Sequence, residues 1–266
     1  MSLLREALKR AALGREAAGL PVTGSRRVVT TEPTSKLLRG ADLQRRPVDP
    51  LIVCHSAPFT AEAQQYANLR THLLLALGAG RSRVVLVTSA VPGEGKSLTA
   101  ANLAACLAGN EEGRTVLVDA DLRTPKAHAL LGVPRARGLS DFLRGDTPIE
   151  ATLHGSPIER LVVLPAGERV LAPSHLLTST RFHQLLAALR EQFDDIIIDS
   201  APVLPLADAR ALAKLADGVL VVLRAGRSRR VQAEDAIQRL HGARILGLVF
   251  NGAPRSEVES YYGGAV

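Results

Sequence analysis

Six short runs of the chain are apolar along almost their whole length: VVLVTS (84–89), TVLVDA (115–120), LVVLPA (161–166), DIIIDS (195–200), GVLVVLR (218–224) and ILGLVF (245–250). A strand with one wet face alternates apolar and polar side chains, whereas a strand without that alternation is covered on both faces. Helical, Ala- and Leu-rich stretches lie between the runs, around 97–108, 174–192, 207–215 and 230–241. Strand and helix in alternation put helix layers on both sides of a parallel sheet. The pattern therefore predicts a doubly wound, mostly parallel α/β domain over roughly 60–250. Its interior must be Ala, Leu and Val, because 46% of the 266 residues are hydrophobic, only 3% are aromatic, and there is no Trp. No internal repeat interrupts the order.

The chain ahead of this domain has a different character. Residues 2–18 read as a short helix with Leu4, Leu8 and Ala11 on one side, either a docking element or a plain surface helix. Residues 19–58, rich in Pro, Thr, Arg and Gly without a sustained period, read as linker. Residues 60–77 read as a helix with Thr60 as N-cap. The expected organisation is a basic helix-and-linker arm at 1–58, a P-loop domain at 59–253 and a tail at 254–266. Ten Lys/Arg against five Asp/Glu in residues 1–50 give +5 of the formal net charge of +7. Such an arm suits an anionic membrane face, a nucleic acid or an acidic partner, and equally a solvated linker. No run of about 18 uncharged apolar residues occurs, so no spanning segment is expected. The two cysteines, Cys54 and Cys106, offer neither a disulfide framework nor metal-ligand spacing, and the chain reads as cytosolic and reduced.

The sharpest chemical signal is SAVPGEGKS at 89–97, between an apolar strand and the helical SLTAANLAACLA. A strand–loop–helix context separates a phosphate loop from a chance glycine turn. Gly93 and Gly95 let the backbone turn its N–H groups inward, and the helix that follows adds its dipole. Lys96 would reach phosphate oxygens, and the Ser97 hydroxyl would bind Mg²⁺. Ala90 stands where such loops commonly open with glycine, and it fits if its φ is negative.

Carboxylates belong beside that metal. DIIIDSAP puts Asp199 at the C-terminal end of a buried strand, the edge at which ligands bind in such sheets. TVLVDADLRTP puts Asp119 and Asp121 at the end of another, two apart and so on one face. Three converging acids repel one another unless a cation sits among them, which favours a magnesium–nucleotide site. Asp194 and Asp195 read as a solvated turn, and His128, His154 and His175, sharing no spacing, as surface or satisfied polar residues.

With these pieces placed, residues 58–263 resemble the cytoplasmic domain of the bacterial tyrosine kinases of capsule and exopolysaccharide synthesis, the BY-kinases. The resemblance rests on PGEGKS as Walker A, VLVDADLR with its DxDxR core, IIIDSAP as Walker B, GLSDFLRGD (138–146), the order LLTSTRFHQLLAALREQFDDIIID (176–199) and a tail carrying YY. It implies an ATP- and Mg²⁺-dependent protein-tyrosine kinase. Pro92, Gly93, Glu94, Gly95, Lys96, Ser97 and Leu98 would form the nucleotide loop. Ser97, Asp121 and Asp199 would serve the metal, and Asp119 would help to activate the attacking hydroxyl. Arg123 would orient phosphate or a neighbouring subunit, and Asn251 would meet the adenine or simply cap a loop. Tyr261 and Tyr262 would be the phospho-acceptors. The expected partners are a membrane-embedded polysaccharide co-polymerase that activates the kinase, further copies of the chain, and a tyrosine phosphatase, with no nucleic acid. The chain would then work in the cytoplasm, peripheral to the inner face of the plasma membrane through that partner.

Two departures qualify the resemblance. The family's ring-forming helix carries Glu-x-x-Arg-x-x-Arg, and the matching positions are Gln64, Ala67 and Arg70, so only the last arginine remains. The family's Asn-Pro before its Leu-Leu pair is Ala172-Pro173. Two alternatives stand beside the kinase: a kinase-weak P-loop ATPase that regulates the same machinery, and a switch of the partition or cell-division type. The second group places a lysine early in its phosphate loop, where this chain has Val91.

Overall fold

The computed structural model describes residues 46–78, 82–109 and 113–254. Seven strands form one sheet: β1 (Arg83–Ser89), β2 (Thr115–Asp119), β3 (His154–Gly155), β4 (Leu161–Leu164), β5 (Asp195–Asp199), β6 (Gly218–Arg224) and β7 (Ile245–Asn251). Their order across the sheet is β3-β4-β2-β5-β1-β6-β7. Every neighbouring pair is parallel except β3, which runs antiparallel to β4 at one edge. All six predicted strands are present. The two-residue β3 carries no pattern long enough to be read in the sequence.

Successive side chains of a strand go to opposite faces, and here they divide between two cores. Val84 and Leu86 pack on one side with Phe182, Leu185, Leu189 and Leu212. Val85 and Val87 pack on the other with Leu73, Leu103 and Leu107. The second face is covered by α1 (Val53–Ser56), α2 (Ala61–Leu77), α3 (Lys96–Ala108) and α4 (Ala127–Leu130). The first is covered by α5 (Leu139–Arg144), α6 (Ser174–Leu177), α7 (Thr180–Gln192), α8 (Asp208–Ala213) and α9 (Arg230–Arg239).

Two details differ from the expected elements. The helix expected over 174–192 is two helices, because Ser179 takes an extended backbone, with ψ of 157°, and its hydroxyl caps the second. Ser and Thr at such positions satisfy orphan N–H groups and restart a helix; Thr60 does the same for α2, accepting from the Ala63 N–H. The stretch read as linker packs against the domain from residue 46 onward. Arg46 donates to the Gly132 carbonyl at 3.1 Å, Asp49 to that of Leu130 at 3.0 Å, and Ile52 is fully buried. A few apolar side chains, Val48, Ile52 and Cys54 among them, and a few hydrogen bonds are enough to dock a segment that has no periodicity. The helix expected at 2–18 lies outside the described residues, as do Tyr261 and Tyr262.

Candidate functional site

The C-terminal ends of β1, β2 and β5 lie side by side in the middle of the sheet, with Asp119 directly opposite Asp199 and Asp199 opposite Val87. Beyond β1 the chain turns through residues 90–95 into α3. Gly93 and Gly95 have φ of 87° and 94°, the left-handed region that favours glycine. A Cβ on Gly95 would also fall on the Asn251 amide. Ala90 is buried with a negative φ, so its methyl group costs the turn nothing. Lys96 and Ser97 open α3, and Leu98 packs against the core beneath it.

The loop is held from outside by side chains that the sequence suggested for the ligand. The buried Glu94 carboxylate accepts from the Val91 N–H at 2.9 Å through Oε2 and from the Ser228 hydroxyl through Oε1. Asn251 donates its side-chain amide to the Glu94 carbonyl at 3.1 Å. Glu94 and Asn251 are therefore committed to fixing the loop's shape. Ser228 belongs to the same brace, since its hydroxyl also accepts from the Arg224 N–H at 2.7 Å. Nothing in the sequence marks Ser228, because its role depends on β6 lying next to β1.

Lys96 reaches across to the carboxylates. Its Nζ lies 2.7 Å from Asp121 Oδ2 and 3.4 Å from the Ser97 hydroxyl. Burial alone would lower its pKa, but the charges of Asp199, Asp121 and Asp119 overcome that and raise it. Burial would conversely raise Asp121. The Lys96 ammonium, and the Thr124 N–H and hydroxyl that Asp121 accepts at 3.0 Å each, bring it below the usual carboxylate range.

Asp119 is occupied differently. One oxygen accepts from the Asp121 N–H at 3.3 Å; the other accepts from the Lys126 and Ala127 N–H groups at 3.1 and 3.0 Å. Both oxygens therefore shape the turn after β2, and burial next to Asp199 pushes the group well above the ordinary range. Asp199 is fully buried, and neither of its oxygens makes a well-formed hydrogen bond, although the Ser97 hydroxyl lies beside it. Burial raises its pKa against the pull of Lys96 and of the Ser97 hydroxyl beside it. Leaving a buried carboxylate unfilled costs a protein stability, so these atoms are suited to a group that arrives with positive charge or donors. The chain after Asp199 is laced back to the phosphate loop, with the Val203 N–H on the Ser89 carbonyl at 2.8 Å and the Leu204 N–H on that of Ala90 at 3.1 Å.

Arg123 points elsewhere. Its guanidinium donates to Asp208 at 3.3 Å and to the Leu171 carbonyl, tying the turn after β2 to α8. Asp195, expected in a solvated turn, is buried and gripped by Arg83 at 2.7 and 3.0 Å, and Asp194 accepts from the Arg114 N–H at 3.0 Å. Charges flanking an apolar run look exposed in one dimension, yet β1 brings an arginine to meet this one. His154 is buried, with Nε2 3.0 Å from the Arg137 carbonyl. Among the described residues no group of three or more His, Cys, Asp and Glu side chains is arranged to hold a metal. Mg²⁺ at a phosphate site commonly takes only one or two protein ligands, the rest being phosphate and water. The Ser97 hydroxyl and the unpartnered Asp199 carboxylate fit that pattern.

Comparison with known proteins follows the same lines. The AAA domain family matches residues 82–235. The chain is 33% identical over 226 residues to the tyrosine-protein kinase YwqD of Bacillus subtilis (strain 168), covering 84% of this chain and 92% of that one. It is 33% identical over 210 residues to the succinoglycan biosynthesis transport protein ExoP of Rhizobium meliloti (strain 1021), covering 77% of this chain but only 27% of ExoP. Among solved structures, the kinase domain of the Escherichia coli tyrosine kinase ETK superposes with a TM-score of 0.73 at 28% identity, covering 80% of this chain and 84% of that one.

Proposed function

Because the chain belongs to the family of bacterial tyrosine kinases, the BY-kinases, we propose that it transfers the γ-phosphoryl group of ATP to tyrosines of its own tail and so regulates the polymerisation and export of a capsule or exopolysaccharide. The observation that carries the reading is the buried Asp199 carboxylate without a partner, beside a lysine at the head of a phosphate loop.

The residues divide the work as follows. The backbone N–H groups from Gly93 to Ser97 and the start of α3 would cradle the phosphates. Mg²⁺, held by Ser97 and Asp199 together with the phosphates, would supply neutralisation of the charge that spreads over the transferred group. Lys96 would give up its 2.7 Å bond to Asp121 and turn to the β- and γ-phosphate oxygens. That exchange frees Asp121, still aligned by Thr124, to serve the metal's water shell or to accept the tyrosine proton. Asp119, whose oxygens are spent on backbone N–H groups, would position Asp121 rather than meet the substrate. Transfer of this kind depends on positioning and charge neutralisation more than on covalent help from the protein.

The acceptors would be Tyr261 and Tyr262. The activator would be a membrane-embedded co-polymerase, a counterpart of the part of longer relatives such as ExoP that this chain does not span. The chain would then act at the inner membrane face, with a tyrosine phosphatase resetting the tail. No helix among the described residues is long and apolar enough to cross a membrane. Arg70, the one arginine left on the ring-helix pattern, donates inward to the Cys106 carbonyl at 3.2 Å, so a homo-oligomer would need other contacts.

Labelled ATP and Mg²⁺ test the reading, with and without the cytosolic part of the activator. Lys96→Met should abolish label. The double change Tyr261→Phe/Tyr262→Phe should abolish tyrosine label while leaving ATP hydrolysis. The chain has three tyrosines in all, so label that survives the double change must lie on Tyr66 or on the partner. Hydrolysis without tyrosine label under any condition would overturn the kinase reading in favour of an ATPase regulator.

A further inference from the structure

Both cysteines of the chain lie where α1 packs on α3. Asn102 builds that junction: its Oδ1 accepts from the Cys54 N–H at 3.3 Å, and its Nδ2 donates to the Leu51 carbonyl at 2.9 Å. Cys106 stands four residues further along α3, and positions i and i+4 share a helix face. The two thiols therefore face each other across the junction, near enough for each to shift the other's titration. Each is half-buried, so a small reagent can reach it. Arg70 comes in from α2, donating to the Cys106 carbonyl, and its Nε is buried with no partner. A cation with one unused donor beside a sulfur is the setting that favours a thiolate.

We propose that Cys54 and Cys106 form a peroxide-responsive thiol pair that closes to an intramolecular disulfide, stapling α1 to the helix that begins at the phosphate loop. Cys106 is the attacking member. The neighbouring Cys54 thiol lowers its pKa, with the Arg70 charge helping against burial. Cys54 keeps its proton, its pKa raised first by the Cys106 thiol and then by burial. The Cys106 thiolate takes an oxygen from a hydroperoxide; the O–O bond breaks and Cys106 becomes a sulfenic acid, while the remainder leaves as alcohol. Cys54 then attacks the sulfenic sulfur and loses its proton, hydroxide leaves as water, and the S–S bond forms. Two thiols are oxidised by two electrons, and one hydroperoxide is reduced to one alcohol and one water. The inference is independent of the kinase reading, since neither sulfur touches the phosphate site.

The test uses the full chain, reduced and then freed of reductant, with hydrogen peroxide as probe. The intact mass should fall by two hydrogens, both thiols should vanish, and digestion should yield a linked peptide containing Cys54 and Cys106. Reductant should reverse all three. The oxidised chain should melt about 10 °C higher, because the bridge closes a loop of roughly 50 residues in the unfolded state. With Cys54→Ser, a sulfenic-acid trap should label Cys106. With Cys106→Ser, labelling of Cys54 should be slower by about tenfold or more. Thiols that persist, oxidation that runs to sulfinic acid at separate sites, or bridges formed only between chains would each overturn the proposal. Trapping at Cys54 in preference to Cys106 would overturn the assignment of the attacking sulfur. The wild-type mass and peptide measurements decide the matter even if a serine variant fails to fold.

Discussion

Strand β5 begins and ends on aspartate, and both Asp195 and Asp199 are buried. Burial is the largest influence on each and pushes both carboxyls above the ordinary range. Their surroundings then diverge. Asp195, at the N-terminal edge of the sheet, is held in a two-point grip by Arg83, and nearby Arg190 forks onto Asp217 at 2.9 Å in both contacts. Asp199, at the C-terminal edge, makes no well-formed hydrogen bond and has only the Ser97 hydroxyl and the Lys96 charge nearby. The fold completes one edge, and under the proposed function the metal and nucleotide would complete the other. Strain of that sort points to a function, and the proposed one makes Asp195 a structural charge and Asp199 a working one.

The largest test of the contrast is in activity. Asp199→Asn should lower phosphoryl transfer, or ATP turnover if the tail is not the acceptor, by about 10²–10³-fold, the range for removing one preorganised electrostatic partner. Asp195→Ala should leave turnover within about twofold per folded molecule. Equal losses in the two variants would break the comparison.

Stability should move the opposite way, by smaller amounts. Asp195→Ala strands the mostly buried Arg83 guanidinium and should cost about 2–3 kcal/mol in denaturant unfolding. Asp199→Asn removes a buried charge without a hydrogen bond and should stabilise the ligand-free chain by about 1 kcal/mol. If Asp199→Asn destabilises as much as Asp195→Ala, Asp199 is part of the structural frame after all. Gly95→Ala lies between these cases: its Cβ would displace the Asn251 amide from the phosphate loop, with an expected cost of about 1–3 kcal/mol and weakened nucleotide binding. Unchanged nucleotide affinity in that variant would show that the Asn251 brace is dispensable.

The two ends of β5 also show what the sequence could and could not reveal. Asp199 was readable because a carboxylate after a wholly apolar run, in a sheet of this class, falls at the ligand edge whatever its exact neighbours are. The parallel sheet and the positive-φ glycines of PGEGKS were readable for the same reason, since pattern and backbone sterics are local. The Arg83 grip on Asp195 was not readable, because it joins residues more than a hundred apart. The bonds that Glu94 and Arg123 make within the chain were unreadable for that reason too, and the loop-capping alternative for Asn251 could not be chosen: a polar side chain near a ligand loop can face the ligand or hold the loop, and only the third dimension decides. The docking of residues 46–58 rests on Val48, Ile52 and Cys54, the Asn102 side chain and a few backbone bonds, too little to leave a periodic signature.

The smallest effect is in the pH dependence of the ligand-free chain. A carboxyl whose folded pKa is raised stabilises the fold fully below its unfolded value, and that contribution is lost as pH rises through the folded value. Asp199 and Asp119 are both of this kind, raised first by burial and then by a neighbouring carboxylate, Asp199 acting on Asp119 and Asp121 on Asp199. Asp121 has the opposite sign: Lys96 holds it low, so its contribution is present at neutral pH and lost as pH falls through its lowered value. The gain from Asp199→Asn should therefore be greatest near pH 7 and shrink as the pH falls through the raised value of folded Asp199 towards the ordinary carboxylate value of 3.8, since wild-type Asp199 becomes neutral over that range. Removing the Asp199 charge also relieves Asp119, so the variant's stability should slope less with pH across that window. Parallel stability curves for wild type and variant, measured by chemical denaturation from pH 4 to pH 7, would show that Asp199 is already neutral or already paired at pH 7. The proposed role of Asp199 in holding a cation at this edge of the sheet would then lose its electrostatic basis.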